Sequence, residues 1–195
     1  MQFRLAATVV LATSSLFLAS PVFAQSEIAG LTVSGSPLPD QPYTLIFPSE
    51  MSQSGEIGGA VTINHANMPL QCVLTVVPVE PMPWDAQTEL AELDDAEIIG
   101  AWSNTFPGFA LTNKGTTSYQ SGLALSYAGT SEDSPQGAPL TIHHTESVDG
   151  ANGYVLDCFY ATESTEAARP VVDFIIANFS TKFDAKPISA APQQP

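Results

Sequence analysis

The sequence predicts an α+β fold, a single domain built on an antiparallel β-sheet with a central helical segment and a C-terminal helix packed on it. Three observations carry this. Runs rich in Val, Ile, Thr and aromatic residues recur between turn residues, as strands do. After Pro83 the pattern shifts to a helical one and later shifts back. A strong hairpin signal late in the chain makes neighbouring strands antiparallel. No internal repeat and no boundary divides the 195 residues into two domains.

In chain order, residues 1–24 read as a secretory leader. Arg4 supplies the positive start, residues 5–18 an apolar run, and Val22-Phe23-Ala24 the small-residue pattern that precedes a cut. No later apolar run approaches the length of a bilayer span. Cleavage after Ala24 leaves 171 of the 195 residues, about one ordinary domain, expected over residues 25–184. The expected location is periplasmic or secreted, with no membrane span.

Residues 25–42 are rich in Gly, Ser and Pro and predict an opening segment with one short strand at 31–33. Residues 43–47, 59–64 and 71–79 read as strands, set apart by Pro48, Gly55, Gly58 and Pro69. Asp85 is placed to cap the helical stretch, along which Leu90, Leu93, Ile98, Ile99 and Trp102 form the apolar stripe. Asp94 with Glu97 three residues on has the form of a capping box, so the stretch is one helix or two. Glu89, Glu92, Asp94, Asp95 and Glu97 then form its wet side.

Phe106-Pro107-Gly108-Phe109 ends that region. Asn113-Lys114-Gly115 predicts a hairpin turn joining residues 109–112 to 116–120. Leu123, Leu125 and Tyr127 alternate along a further strand, and 130–139 reads as a surface loop. Strands at 140–147 and 154–161 flank Asp149-Gly150-Ala151-Asn152-Gly153, the strongest hairpin signal in the chain. A helix over 170–181 starts with Pro170 in its first turn and buries Val171, Val172, Ile175, Ile176 and Phe179, with Lys182 complementing its dipole. Residues 185–195, rich in Ala, Pro and Gln, predict a disordered tail.

The order of elements resembles the Mog1/PsbP-like fold. The most similar stretches are the strand Gly153-Tyr154-Val155-Leu156-Asp157-Cys158 and the helix that runs from Pro170-Val171-Val172-Asp173 to Phe179-Ser180. The resemblance implies an antiparallel sheet with helices against it. It also implies a role among accessory, assembly or binding proteins that are largely non-catalytic and in several cases exported. It transfers no active site.

Two cysteines, Cys72 and Cys158, lie 86 positions apart. Each falls in phase with apolar neighbours: Leu70, Leu74 and Val76 for the first, Tyr154, Leu156 and Tyr160 for the second. In an oxidising compartment an even count favours a disulfide; the alternative is two buried free thiols. Neither lies in a Cys-x-x-Cys pair, which speaks against a thioredoxin-like centre.

The formal charge of the full chain is −15, and without Arg4 four basic residues (Lys114, Arg169, Lys182, Lys186) face twenty acids. Such a field repels nucleic acid and anionic lipid. The compact polar constellation is His143-His144-Thr145-Glu146. On a strand, adjacent histidines point to opposite faces, so they do not share a metal. His144 and Glu146, two apart, share a face and are candidate ligands, with His65 a distant third. A hydrogen-bonded His144–Glu146 pair near the sheet edge is the simpler reading, and no metal or cofactor is expected. Ser121 lacks the glycine pattern of a nucleophile elbow, and no phosphate-cradling loop is present. Asn178-Phe179-Ser180 has the form of a glycosylation acceptor but falls in the predicted helix. Trp84 and Trp102 bracket the helical region, as core residues or as exposed ligand platforms.

Three functions compete. The first is an exported, non-catalytic accessory or binding protein of the cell envelope, whose partner is a protein or a small ligand. The second is an envelope hydrolase using His65, His143 or His144 with nearby acids. The third is a divalent-cation binder using the acidic surface. A deep pocket with convergent, shifted titratable groups marks the enzyme, and an exposed apolar or aromatic patch marks the binding module.

Overall fold

A computed structural model describes residues 24–28, 30–56 and 58–188. The expected leader, apart from Ala24, lies outside the described residues, as do residues 189–195 of the expected tail.

The described residues form two antiparallel sheets and three α-helices. Strands β1 (Ala24–Ile28), β2 (Leu31–Gly35) and β3 (Thr44–Pro48) make a small sheet in sequence order. The large sheet has seven strands: β4 (Met51–Gly55), β5 (Val61–His65), β6 (Leu70–Pro78), β7 (Ala110–Tyr119), β8 (Gly122–Ser131), β9 (Leu140–Asp149) and β10 (Asn152–Ala161). Their spatial order is β4-β5-β6-β10-β9-β8-β7, so the late hairpin β9–β10 inserts beside β6 at the centre. The α+β class and an antiparallel sheet with a C-terminal helix packed on it are as the sequence predicts, and the small second sheet is additional to it.

The opening segment holds two strands rather than one. Gly30, at φ +79°, turns the chain tightly enough for Ile28 to face Leu31. Strand β4 was not legible either, because Met-Ser-Gln-Ser-Gly is a polar edge strand that buries only Met51 fully.

The helical stretch is two helices, α1 (Ala86–Glu92) and α2 (Asp95–Ser103). Asp85 accepts from the Thr88 amide at 2.9 Å and Asp94 from the Ala96 amide at 2.7 Å, so each helix has its own acidic N-cap.

The expected turn at Asn113-Lys114-Gly115 is a correction. β7 runs straight through it with a bulge between Leu111 and Asn113, and the reversal comes at Gln120-Ser121. Lys114 is used as a clamp: its ammonium bonds the Leu93 carbonyl at 2.7 Å and pairs with Asp95, tying the edge strand to the α1–α2 junction. The β9–β10 turn does fall at Gly150-Ala151, with Gly150 at φ +64°.

Helix α3 (Thr165–Asn178) starts five residues before the predicted position, so Pro170 sits inside it and not in its first turn. Pro170 removes the amide that would pair with the Glu166 carbonyl, and both residues are exposed, where water can satisfy that oxygen. Residues 185, 186 and 188 of the expected tail are bonded to the domain. The amides of Ala185 and Ile188 donate to Thr44 Oγ1 (3.1 Å) and Asn178 Oδ1 (2.9 Å), and the Lys186 carbonyl accepts from Gln120 (2.9 Å).

The two faces of the large sheet are packed differently. One side of β6 and β10 (Leu70, Cys72, Leu74; Tyr154, Leu156, Tyr160) meets Val171, Val172 and Ile175 of α3, Phe179 just after it, and the Leu45-Ile46-Phe47 run of β3. Cys72 and Cys158 are directly opposed in the β6–β10 pairing and form a disulfide, with Cα atoms 4.0 Å apart. On the other face α1 and α2 cover the β7–β8 end, where Ile98, Trp102, Phe106 and Phe109 pack on Tyr127, Leu140 and Ile142. Gly129 of β8 is required there, since a Cβ would overlap the Phe109 ring.

Candidate functional site

Strand alternation sends His143 and His144 to opposite faces. His143 Nε2 lies 3.0 Å from the Tyr160 hydroxyl on the α3 face. Burial lowers its pKa, Arg169 of α3 adds to that and Asp173 opposes it, so the ring is held neutral. His144, 3% exposed, faces α2. Its Nδ1 bonds Asp157 at 2.7 Å and its Nε2 lies 3.5 Å from Glu146. Burial opposes the charged ring, but the Asp157 carboxylate and Glu146 more than reverse this and raise the pKa to about 10. Tyr127 stacks on the imidazolium at 4.3 Å and 13°, and its hydroxyl accepts from Trp102 Nε1 at 2.9 Å.

This corrects the expected edge pair in two ways. β9 is an interior strand, and the principal partner is Asp157 rather than Glu146. The hairpin register carried the missing signal: a turn at 150–151 places Asp149 opposite Asn152 and therefore His144 opposite Asp157.

His65, on β5, is separated from β9 by β6 and β10, and its Nδ1 accepts from the Asn67 amide at 3.2 Å. The candidate metal set of His144, Glu146 and His65 is therefore not brought together. Among the described residues no group of three His, Cys, Asp or Glu side chains is arranged to hold a metal ion. The three histidines proposed for a hydrolase likewise occupy three separate places. Trp102, 2% exposed, is a core residue.

Trp84 has a different setting. It is half-buried and lines a cleft of about 410 Å³ at one end of the large sheet. Four segments meet there: the approach to α1 (Trp84, Asp85), the β7–β8 turn with the start of β8 (Ser121, Leu123), the end of β9 (Ser147, Asp149) and the exit of α3 (Thr181, Lys182). Leu123 is 46% exposed at its rim. The Asp149 carboxylate accepts from both the Thr181 hydroxyl and the Lys182 ammonium, which lower its pKa against the opposing effect of burial. Lys182 thus closes an ion pair rather than capping α3. Ser121 Oγ accepts from the Thr181 amide at 3.0 Å. The Ser147 hydroxyl is buried and has no hydrogen-bond partner among the described residues. Of these residues the sequence singled out Trp84 as a ligand candidate; the others gave no signal, because they converge only through the fold.

No family model matches the chain, and no curated protein sequence matches it. Among solved structures it is similar to cyanobacterial PsbP (CyanoP) from Synechocystis sp. PCC 6803, at a TM-score of 0.52 and 9% identity over 79% of this chain and 94% of that one. It is also similar to the Saccharomyces cerevisiae Ran-binding protein Mog1p (TM-score 0.43, 8% identity, 83% of this chain and 86% of that). A Bacteroides thetaiotaomicron VPI-5482 protein matches at 0.46 and 11% over 73% of this chain. This chain spans only 46% of the length of that last protein. The CyanoP likeness shows that the fold is of the PsbP type. No helix among the described residues is long and apolar enough to cross a membrane.

Proposed function

We propose that the protein is an exported, non-catalytic accessory or binding protein of the cell envelope, acting after removal of residues 1–24. The observation that carries this reading is the contrast between its two polar assemblies. The titratable cluster around His144 is closed off in the core, whereas the open cleft combines an aromatic ring and an exposed leucine with a charge pair already neutralised. Such a lining suits recognition more than proton transfer. The leader pattern and the Cys72–Cys158 disulfide support a compartment outside the cytosol.

Two measurements test the reading. N-terminal sequencing of protein from the periplasm or medium should begin at Gln25; recovery only in the cytosol with Met1 retained would refute export. The immobilised protein should retain an envelope component that Trp84→Ala, folded to the same melting temperature, does not. Equal retention by both, or ester or amide hydrolysis abolished by His144→Gln in a folded protein, would refute the binding role of the cleft.

A further inference from the structure

We infer that residues 78–84 form a polyproline-type ligand for a partner protein, docking in a groove lined by Trp or Tyr with a Lys or Arg at its rim. The inference rests on the binding role proposed above and names the class of partner. Pro78, Pro81 and Pro83 fall within six residues, at the end of β6 and along the connection to α1. One proline is enough to end a strand; three constrain everything that follows. Each fixes its own φ at about −65°, and each bars the residue before it (Val77, Glu80, Met82) from the helical region. Of residues 77–83 only Val79 escapes both restrictions, and 79–84 contain no helix, strand or turn. Both ends are anchored. The Val79 amide donates to the Ala151 carbonyl at 2.8 Å, and Asp85 caps α1.

Between those anchors the segment is presented rather than packed. Glu80, Pro81, Met82 and Pro83 are all exposed, Met82 at 43%. None of the four hydrogen-bonds another described residue, so their carbonyls are open acceptors. A polyproline helix has about three residues per turn, which puts Pro78, Pro81 and Trp84 on one edge and Val79 and Met82 on the next, over about 19 Å. Proline segments enter aromatic-lined grooves in that form. The aromatic rings pack on the pyrrolidine edges, and their N–H or O–H groups donate to the free carbonyls. A backbone already set in shape loses little entropy on docking. The charge of the groove follows from the charge around the segment. Glu80 lies within it and Asp85 just beyond it, on a chain of −15, so a basic rim complements it. The same charge disfavours a second copy of this chain as the occupant.

The test puts the photoreactive p-benzoylphenylalanine in place of Met82 in the full chain, within the cells that export it, and maps the adduct by mass spectrometry. The adduct should form on one protein, at a stretch bearing Trp or Tyr with Lys or Arg close by. The same probe in place of Ile99 on α2 should not give it. Pro81→Ala with Pro83→Ala, both at exposed positions, should cut the yield about fivefold or more in a protein still folded by circular dichroism. Glu80→Gln should cut it about two- to fivefold, and Glu80→Lys further. An adduct on lipid, on a second copy of this chain or at a stretch without aromatic residues would overturn the inference. So would a yield that the proline changes leave intact, or one that rises in Glu80→Lys. If position 82 gives no adduct but Trp84→Ala still releases the retained envelope component, the proline ligand is wrong and the binding role stands; if Trp84→Ala releases nothing either, both fall.

Discussion

His143 and His144 are neighbours on one strand, yet they meet opposite physical demands. On the α3 face His143 stands beside Tyr160 in a layer of aliphatic and aromatic side chains, and burial keeps it neutral. On the α2 face His144 is more deeply buried yet is charged, held by Asp157, Glu146 and the Tyr127 ring. The difference lies in the opposing side chains and not in the histidines. One face closes by apolar packing and a disulfide; the other closes over an ion pair whose desolvation must be matched by its partners.

The most severe way to break the contrast is Asp157→Ala, which leaves the buried imidazolium without its main partner. It should cost about 3–5 kcal/mol in chemical denaturation. On the opposite face, Cys72→Ser with Cys158→Ser should cost about 2–4 kcal/mol by the same assay, below the entropic ceiling of roughly 4–5 for a loop of 86 residues. Alkylation of two thiols in the folded, non-reduced protein would contradict the bridge itself.

Titration sharpens the comparison. His144 has a folded pKa above its unfolded one, so its stabilisation is complete below about pH 6.5 and is lost as pH rises through about 10. His143 has a folded pKa below its unfolded one, so its contribution is present above about pH 6.5 and is lost as pH falls through the folded value. Each slope is at most about 1.4 kcal/mol per pH unit. Melting curves across pH should therefore lose their alkaline decline in His144→Gln and part of their acid decline in His143→Gln; the reverse assignment would contradict the account. The smallest effect belongs to Tyr160→Phe. It removes the hydroxyl that His143 faces and should cost about 0.5–1.5 kcal/mol in denaturant unfolding.

Much of the framework was legible because it rests on local patterns. The alternation of Leu70, Cys72 and Leu74 and of Tyr154, Leu156 and Cys158 placed both cysteines on one face, and Gly150 marked the reversal between β9 and β10. The misreadings share a cause: a local signal whose outcome depended on distant contacts. Asn113-Lys114-Gly115 had the composition of a turn, but the reach of Lys114 to Leu93 and Asp95 holds it extended. Pro170 resembled a helix start, but an exposed position tolerates it one turn further in. The cleft was the least legible feature. Trp84 is one residue of four converging segments, and Ser147 and Asp149 have no periodicity that separates them from any other polar positions near a hairpin.

The disulfide also fixes how the molecule would answer tension. It joins β6 to β10, and α1, α2, β7, β8 and β9 all lie in the span it encloses. A pull on the two chain ends passes through the Cys72–Cys158 bond and bypasses that span, which stays slack while β1–β5 and α3 are stripped away. The 86-residue segment would otherwise contribute about 280–310 Å of fully extended chain. The oxidised protein stretched from its ends therefore stops short of the reduced one by about that length, with the α2 face still folded inside its loop.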